Sequence, residues 1–163
     1  MQRRRFVPIL LLAGFMTLAA APTTLTAAGA QTIQGILNDY TDTANAAGAW
    51  HINGTWSVTI KGNSGKADVT ASIAMIRNGS GVSPHTHHVV LENADVIQLS
   101  NGYSISGTGT VTTNGAAAFA GTLVTVLLTG STDVLPSNVS FTFEGAAAGH
   151  FGAAPIDGVV KID

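Results

Sequence analysis

Residues 50–61 read WHINGTWSVTIK, and apolar and polar side chains alternate along almost the whole segment. The apolar set is Trp50, Ile52, Trp56, Val58 and Ile60, and the polar set is His51, Asn53, Thr55, Ser57 and Thr59. Because successive side chains of a β-strand point to opposite faces of a sheet, this pattern predicts a strand with one buried face and one polar face.

The same period of two recurs along the rest of the chain, and turn residues separate the segments. Further strands are predicted at 66–77, 85–91, 96–99, 103–113, 122–129, 138–144 and 156–162. The connections are predicted to be turns at GNSG (62–65), NAD (93–95) and Asn101–Gly102, and a loop at NGAAAFAG (114–121). About eight strands predict one all-β domain over residues 31–163. We expect a small antiparallel barrel, with a two-sheet β-sandwich as the alternative.

One short helix is predicted at the start of this domain, in TIQGILNDY (32–40). Ile33, Ile36, Leu37 and Tyr40 recur at the spacing of one helical face, and Thr32 could cap the helix. We expect this helix to flank one end of the barrel.

Residues 1–30 have the features of a secretory signal peptide. Arg3, Arg4 and Arg5 precede an apolar run, and small residues with Ala28 and Ala30 end the segment. We expect cleavage before Gln31 and a secreted or periplasmic protein. An uncleaved membrane anchor is the alternative, but prolines and a glycine break the apolar run, and no later stretch reaches the length of a membrane span.

The charge and the lack of cysteine exclude several classes of function. The nine acidic residues all follow residue 30, whereas only four of the seven basic residues do, so residues 31–163 have a formal net charge of −5. A sparse, mildly acidic surface argues against nucleic acid and membrane partners, because both are bound by clustered Lys and Arg. With no cysteine, thiol catalysis, disulfides and Cys-based zinc sites are excluded.

Residues 84–92, PHTHHVVLE, hold three of the five histidines. On a strand, His85 and His87 share a face with Val89 and Leu91, whereas His88 lies on the other face. Two imidazoles at i and i+2 could hold one divalent transition metal ion, Zn, Cu, Mn, Fe or Ni. Further ligands would come from His150, His51, Glu92, Glu144 or Asp157. The alternatives for these histidines are structural hydrogen bonding and a response to pH. The pattern leaves open which strand face is interior.

Gly79, His85, His87 and Glu92 have the spacing of the first motif of the cupin family, which this segment resembles. The resemblance implies metal ligation by the two histidines and Glu92, and a metal-dependent isomerase or oxygenase activity. The sequence departs from the motif at Leu99, where cupins have a glycine, and no histidine follows Pro155 as the second cupin motif would require.

Gly54 and Trp56 form a G-x-W pattern on the first long predicted strand, which is similar to that of the lipocalin and avidin-like barrels. The resemblance implies small-molecule binding inside the barrel, with Trp56 and Tyr103 as candidate ligand contacts. The alternative role of the tryptophans is to fill the core.

The chain as a whole resembles small uncharacterised exported bacterial proteins with a THH segment and an HFG-x-x-P-x-x-G-V-V ending. Here these are Thr86–His88 and His150–Val160. That resemblance implies export and names no activity.

We expect a non-catalytic binding module for a small ligand or a divalent metal ion. The candidate metal ligands are His85, His87, His88, Glu92 and His150. The alternatives are a metal-dependent cupin-type enzyme and a structural envelope protein whose histidines do no chemistry. There is no G-x-S-x-G nucleophile elbow, P-loop or dinucleotide fingerprint. The sequence determines neither whether the protein is an enzyme nor its oligomeric state.

Overall fold

The computed structural model describes residues 29–41, 50–77, 84–130 and 136–161. Eight antiparallel strands in these ranges close into one barrel, in which each strand pairs with its neighbours in the chain. The strands are β1 (Gln31–Tyr40), β2 (Trp50–Ile60), β3 (Lys66–Arg77), β4 (His85–Leu99), β5 (Gly102–Thr113), β6 (Ala116–Thr129), β7 (Asn138–Phe143) and β8 (Ile156–Val160). A four-residue helix, α1 (Ala148–Phe151), lies between β7 and β8, and a 3-10 turn (Gly62–Ser64) joins β2 to β3. The all-β barrel prediction is confirmed.

Pairing of the first and last strands distinguishes this barrel from the alternative β-sandwich. Three residues of β1 lie opposite three residues of β8: Gly35 opposite Val160, Ile36 opposite Val159, and Leu37 opposite Gly158. The contact leaves neither of these two strands as a free edge. The chain therefore forms an up-and-down barrel whose interior side chains fill the core, as in other eight-stranded barrels.

The predicted N-terminal helix is wrong, because residues 31–40 form strand β1. Its inward positions are Ile33, Gly35 and Leu37, and the glycine hides the alternation that would have indicated a strand. Close packing explains the glycine: a Cβ at residue 35 would lie 1.9 Å from the Val159 carbonyl oxygen and 2.9 Å from the Trp56 ring. Ile36 and Tyr40 face outward and are about half exposed.

The predicted turn at residues 93–95 is also wrong, because β4 runs through it as one strand. Asn93 has a positive φ of 54°, and the pairing of β4 with both of its neighbours slips by one residue near this point. This is a β-bulge, which bends a strand without ending it. The strand count still agrees with the prediction, since two predicted strands merge into β4 and β1 replaces the predicted helix.

Asn114 and Gly115 form a tight turn rather than the start of a long loop, which corrects the prediction for residues 114–121. Both residues have positive φ, 48° and 85°, as a type I′ hairpin turn requires. β6 therefore begins at Ala116, and most of the predicted loop is strand. The Asn101–Gly102 hairpin joins β4 to β5 as predicted.

Some predictions lie partly or wholly outside the described residues. They are the signal peptide up to residue 28, Gly79 of the cupin-like spacing, and the last residue of the strand predicted at 156–162. Within the described ranges, no helix is long and apolar enough to cross a membrane.

The interior face of β4 is the one that carries Val89 and Leu91, which are 0% and 1% exposed. Val90, between them, is 42% exposed on the outer face. Since His85 and His87 have the same alternation as Val89 and Leu91, both histidines point into the end of the barrel at which β4 begins.

Candidate metal centre

Three histidines meet at the barrel end where β2 and β4 begin and where β3 and β5 end. We call His85, His87 and His150 the interior trio. His85 and His87 are the first and third residues of β4. His150 is the third residue of α1, the helix that follows β7. His87 is fully buried, whereas His85 and His150 are partly exposed.

Helix α1 is anchored to the barrel by its last residue. Phe151 is 1% exposed and its ring stacks on Phe143, with 4.3 Å between ring centroids and an interplanar angle of 20°. The backbone N–H groups of His150 and Phe151 both donate to the carbonyl of Ala147, which is itself buried. This packing holds the His150 ring over the mouth of the barrel.

The Nε2 atoms of the interior trio converge. His150 Nε2 lies 2.9 Å from His87 Nε2 and 3.1 Å from His85 Nε2, and one ligand atom from each residue lies within 4.8 Å of the other two. A zinc ion bound tetrahedrally by imidazoles separates their nitrogens by roughly 3.3 Å. The three rings therefore need only small adjustments to hold one metal ion.

The backbone of β5 sets the tautomer of His87. Its Nδ1 lies 3.0 Å from the carbonyl oxygen of Thr112, and because a carbonyl only accepts hydrogen bonds, Nδ1 carries the proton. Thr113 Oγ1 lies 3.1 Å from the same nitrogen. Nε2 of the neutral ring consequently presents a lone pair to the trio, which is the arrangement that second-shell partners impose on metal-binding histidines.

Hydrogen bonding alone serves this arrangement poorly. In a neutral ring His150 Nε2 carries either one proton or one lone pair. With the proton, one N–H group is shared between His87 and His85, and with the lone pair, it faces the lone pair of His87 Nε2 and makes no hydrogen bond to it. A cation at the meeting point would instead accept a lone pair from each of the three nitrogens. The trio is thus positioned to hold a metal ion.

The surroundings favour the neutral forms of His87 and His150. Burial, the proximity of His150 and weaker effects of His85 and His88 lower the pKa of His87 to about 4, although the hydrogen bond to Thr112 acts in the opposite direction. Burial and the proximity of His85 lower the pKa of His150 as well. Because metals bind the unprotonated ring, both residues are in the ligating state near neutral pH.

Aromatic rings surround the trio. The distances between ring centroids are 4.9 Å for Trp50 and His85, which meet edge-on, and 5.6 Å for Phe119 and His150. The Phe151 ring centroid lies 4.8 Å from that of His87. The guanidinium of Arg77 lies over the Trp50 ring, 4.8 Å from its centroid. None of these four side chains is an ordinary metal ligand, so among the described residues the three histidines are the candidate donors.

The structure does not bring His88 and Glu92, the two other predicted ligands of β4, to the trio. His88 is one position and Glu92 five positions after His87, and odd separations on a strand place side chains on opposite faces. Both residues are exposed on the outside of the barrel.

The other predicted candidates also lie elsewhere. His51 is on the outer face, where its Nε2 donates to Asn38 Oδ1 at 3.0 Å and its ring stacks on Tyr40. The Asp157 carboxylate accepts a hydrogen bond from Ser140 Oγ, and Glu144 is exposed just after β7. Among the described residues, none of these groups joins the trio.

The two side chains predicted to contact a small ligand, Trp56 and Tyr103, both pack against the barrel core. Trp56 is 3% exposed and packs edge-on against Phe141, with ring centroids 6.5 Å apart. Tyr103 is partly buried and packs against the same core. Core packing accounts for both side chains.

Sequence reasoning does not identify the residues that support the trio. The contact to Thr112 uses a backbone carbonyl, which no side-chain pattern indicates. Thr113 shares a strand face with the predicted apolar residue Val111, which was the available signal. Phe119 lay in a predicted loop and carried no periodic pattern.

The features implied by the cupin resemblance are not assembled here. Glu92 points away from the two histidines, and the barrel is a meander, whereas cupins are double-sheet jelly rolls. Comparisons of the chain with models of protein families, with curated proteins and with solved structures found no match.

Proposed function

We propose that this protein is an exported binding module that holds one divalent transition metal ion through His85, His87 and His150. The convergence of the three Nε2 atoms carries the proposal, with separations of 2.9 and 3.1 Å about His150. The fixed tautomer of His87 supports it, because the buried ring directs a lone pair to the meeting point.

The donor set favours metals that prefer imidazole. With three nitrogens and no thiolate or described carboxylate at the site, copper, nickel and zinc are favoured over manganese. We expect the affinities to follow the usual order for nitrogen sites, with Cu²⁺ the tightest and Mn²⁺ the weakest.

The decisive experiment is the metal content of protein purified after expression of the full chain, measured by elemental mass spectrometry. We expect about one equivalent of a transition metal, and none in a His85→Ala/His87→Ala double variant. His88→Ala is the matched control, because it removes a neighbouring histidine of the same strand from the outer face. It should retain the metal.

A His150→Ala variant separates loss of metal from loss of folding. His150 lies on a short helix, so its removal leaves the strands of the barrel unchanged, and circular dichroism checks this. If wild-type protein contains no metal, and if Zn²⁺, Cu²⁺ and Ni²⁺ do not change its melting temperature, the proposal fails. A structural role for the histidines would then be the better explanation.

Export is supported by the sequence of residues 1–30 and is tested separately. Expression of the full chain in a bacterial host should give protein outside the cytoplasm, with Gln31 as its first residue by intact mass. Protein that stays in the cytoplasm with its leader intact would contradict export without bearing on the metal site.

A further inference from the structure

The interior trio supplies three donors, which is one fewer than a tetrahedral metal ion takes up. Structural zinc sites are closed by four protein ligands, whereas sites with three protein ligands keep a position for water or another exogenous ligand. Among the described residues, no carboxylate or further imidazole lies close enough to be the fourth donor.

The charge at the mouth of the barrel is also uncompensated. Three neutral imidazoles leave the two positive charges of a bound metal ion intact, and burial weakens their screening by solvent. Arg77 adds a positive group nearby, where its guanidinium lies over Trp50. A negatively charged fourth ligand would be favoured in this environment.

The surroundings limit the size of that ligand. Trp50, Phe119 and Phe151 place aromatic rings within 4.8 to 5.6 Å of the imidazoles. The partial exposure of His85 and His150 gives the site a route to solvent. We therefore expect small ligands to reach the metal ion from solvent and bulky ligands to be excluded by these rings.

We infer that the metal ion in the interior trio has one exchangeable coordination position and that this position binds a small inorganic monoanion in place of water. The inference rests on the proposed function, since it requires the metal. It extends that function from holding a metal ion to binding a second, small ligand on it.

Cobalt(II) provides the test, because its visible absorption bands report the ligands and geometry of the ion. The purified wild-type chain is freed of metal, loaded with one equivalent of Co²⁺ and titrated with sodium azide. We expect a saturable shift of the cobalt bands, with one azide bound per cobalt. His88→Ala should behave like the wild type, and a solution of Co²⁺ without protein gives the background.

The outcomes separate the two proposals. Cobalt bands that appear on loading but do not respond to azide would overturn the exchangeable position and leave the metal site intact. An absence of protein-bound cobalt bands would overturn the metal site and the inference together. Benzoate is the control for size, and a shift as large as that with azide would overturn the restriction to small anions.

Discussion

His51 and the interior trio lie near the same end of the barrel, but on opposite sides of its wall. His51 is held by amides, since it donates to Asn38 Oδ1 at 3.0 Å and receives the side-chain N–H of Asn53 at 3.2 Å. In the trio, Nε2 atoms face one another instead. The comparison teaches that the direction of the ring nitrogens, rather than the number of nearby histidines, distinguishes a cluster positioned to hold a metal ion from a hydrogen-bonded surface residue.

The largest difference between the two regions should be in metal affinity. We expect His87→Ala to weaken Zn²⁺ or Cu²⁺ binding by more than about 100-fold, which is the upper end of the effect of changing a second-shell partner. His51→Ala should leave the affinity unchanged, because its ring nitrogens point to amides. Titration calorimetry with each metal measures both. Equal affinities in the two variants would mean that the trio is not the site.

Acid should destabilise the metal-free protein through His87, whose pKa is lowered in the folded state. In the unfolded chain His87 has an ordinary pKa of 6.5, against about 4 when folded, so between these values the unfolded chain binds more protons. The free energy of unfolding of metal-free protein should therefore fall as the pH drops from about 6.5 to 4, by roughly 3 kcal/mol from His87. Above pH 6.5 His87 is neutral in both the folded and the unfolded chain, so none of this stability is lost there.

Urea unfolding with a chelator, at several pH values, measures this dependence. His87→Gln, which stays neutral, should flatten the decrease, whereas His51→Ala should keep it. A His87→Gln variant with the wild-type dependence on pH would show that other groups cause it.

Removal of a supporting contact should have a smaller effect on the trio. Thr113→Val keeps the shape of the side chain but removes the oxygen that lies 3.1 Å from His87 Nδ1. Because the Thr112 carbonyl still orients the ring, we expect metal affinity to fall by about tenfold or less, at or below the lower end of second-shell effects. Thr110→Val, on the exposed face of the same strand, is the control in calorimetry. Equal affinities in these two variants would argue against a role for Thr113.

The smallest expected effect is on stability outside the trio. His51→Ala removes hydrogen bonds to Asn38 and Asn53, and partly exposed bonds of this kind contribute about 1 kcal/mol or less. Urea unfolding at neutral pH should show a loss of that size, with one equivalent of metal still bound. A loss of metal would mean that the outer network supports the site.

Two errors in the predicted elements show where local patterns fail. In β1 the inward glycine at residue 35 removed the apolar residue that would have completed a period of two, so the remaining apolar positions matched a helical spacing. That glycine is required by the Val159 carbonyl and the Trp56 ring, which come from distant parts of the chain. At Asn93 a left-handed residue within a strand could not be told from a turn, because both use the same backbone conformation.

The candidate site was predictable in part. The spacing of His85 and His87 placed them on one face, and His150 was among the candidates for a third ligand. Glu92 and His88 lie on the outer face of β4, because a strand directs side chains at odd separations to opposite faces.

The sequence by itself determined the alternation of side chains and hence the all-β class, since a period of two is a local property of extended backbone. It also determined that His85 and His87 share a face. Only the tertiary structure decided which face is interior, because a period of two is the same for both. Closure of the barrel buries Val89 and Leu91, and the packing of Phe151 on Phe143 brings His150 to a pair that lies more than 60 residues earlier in the chain.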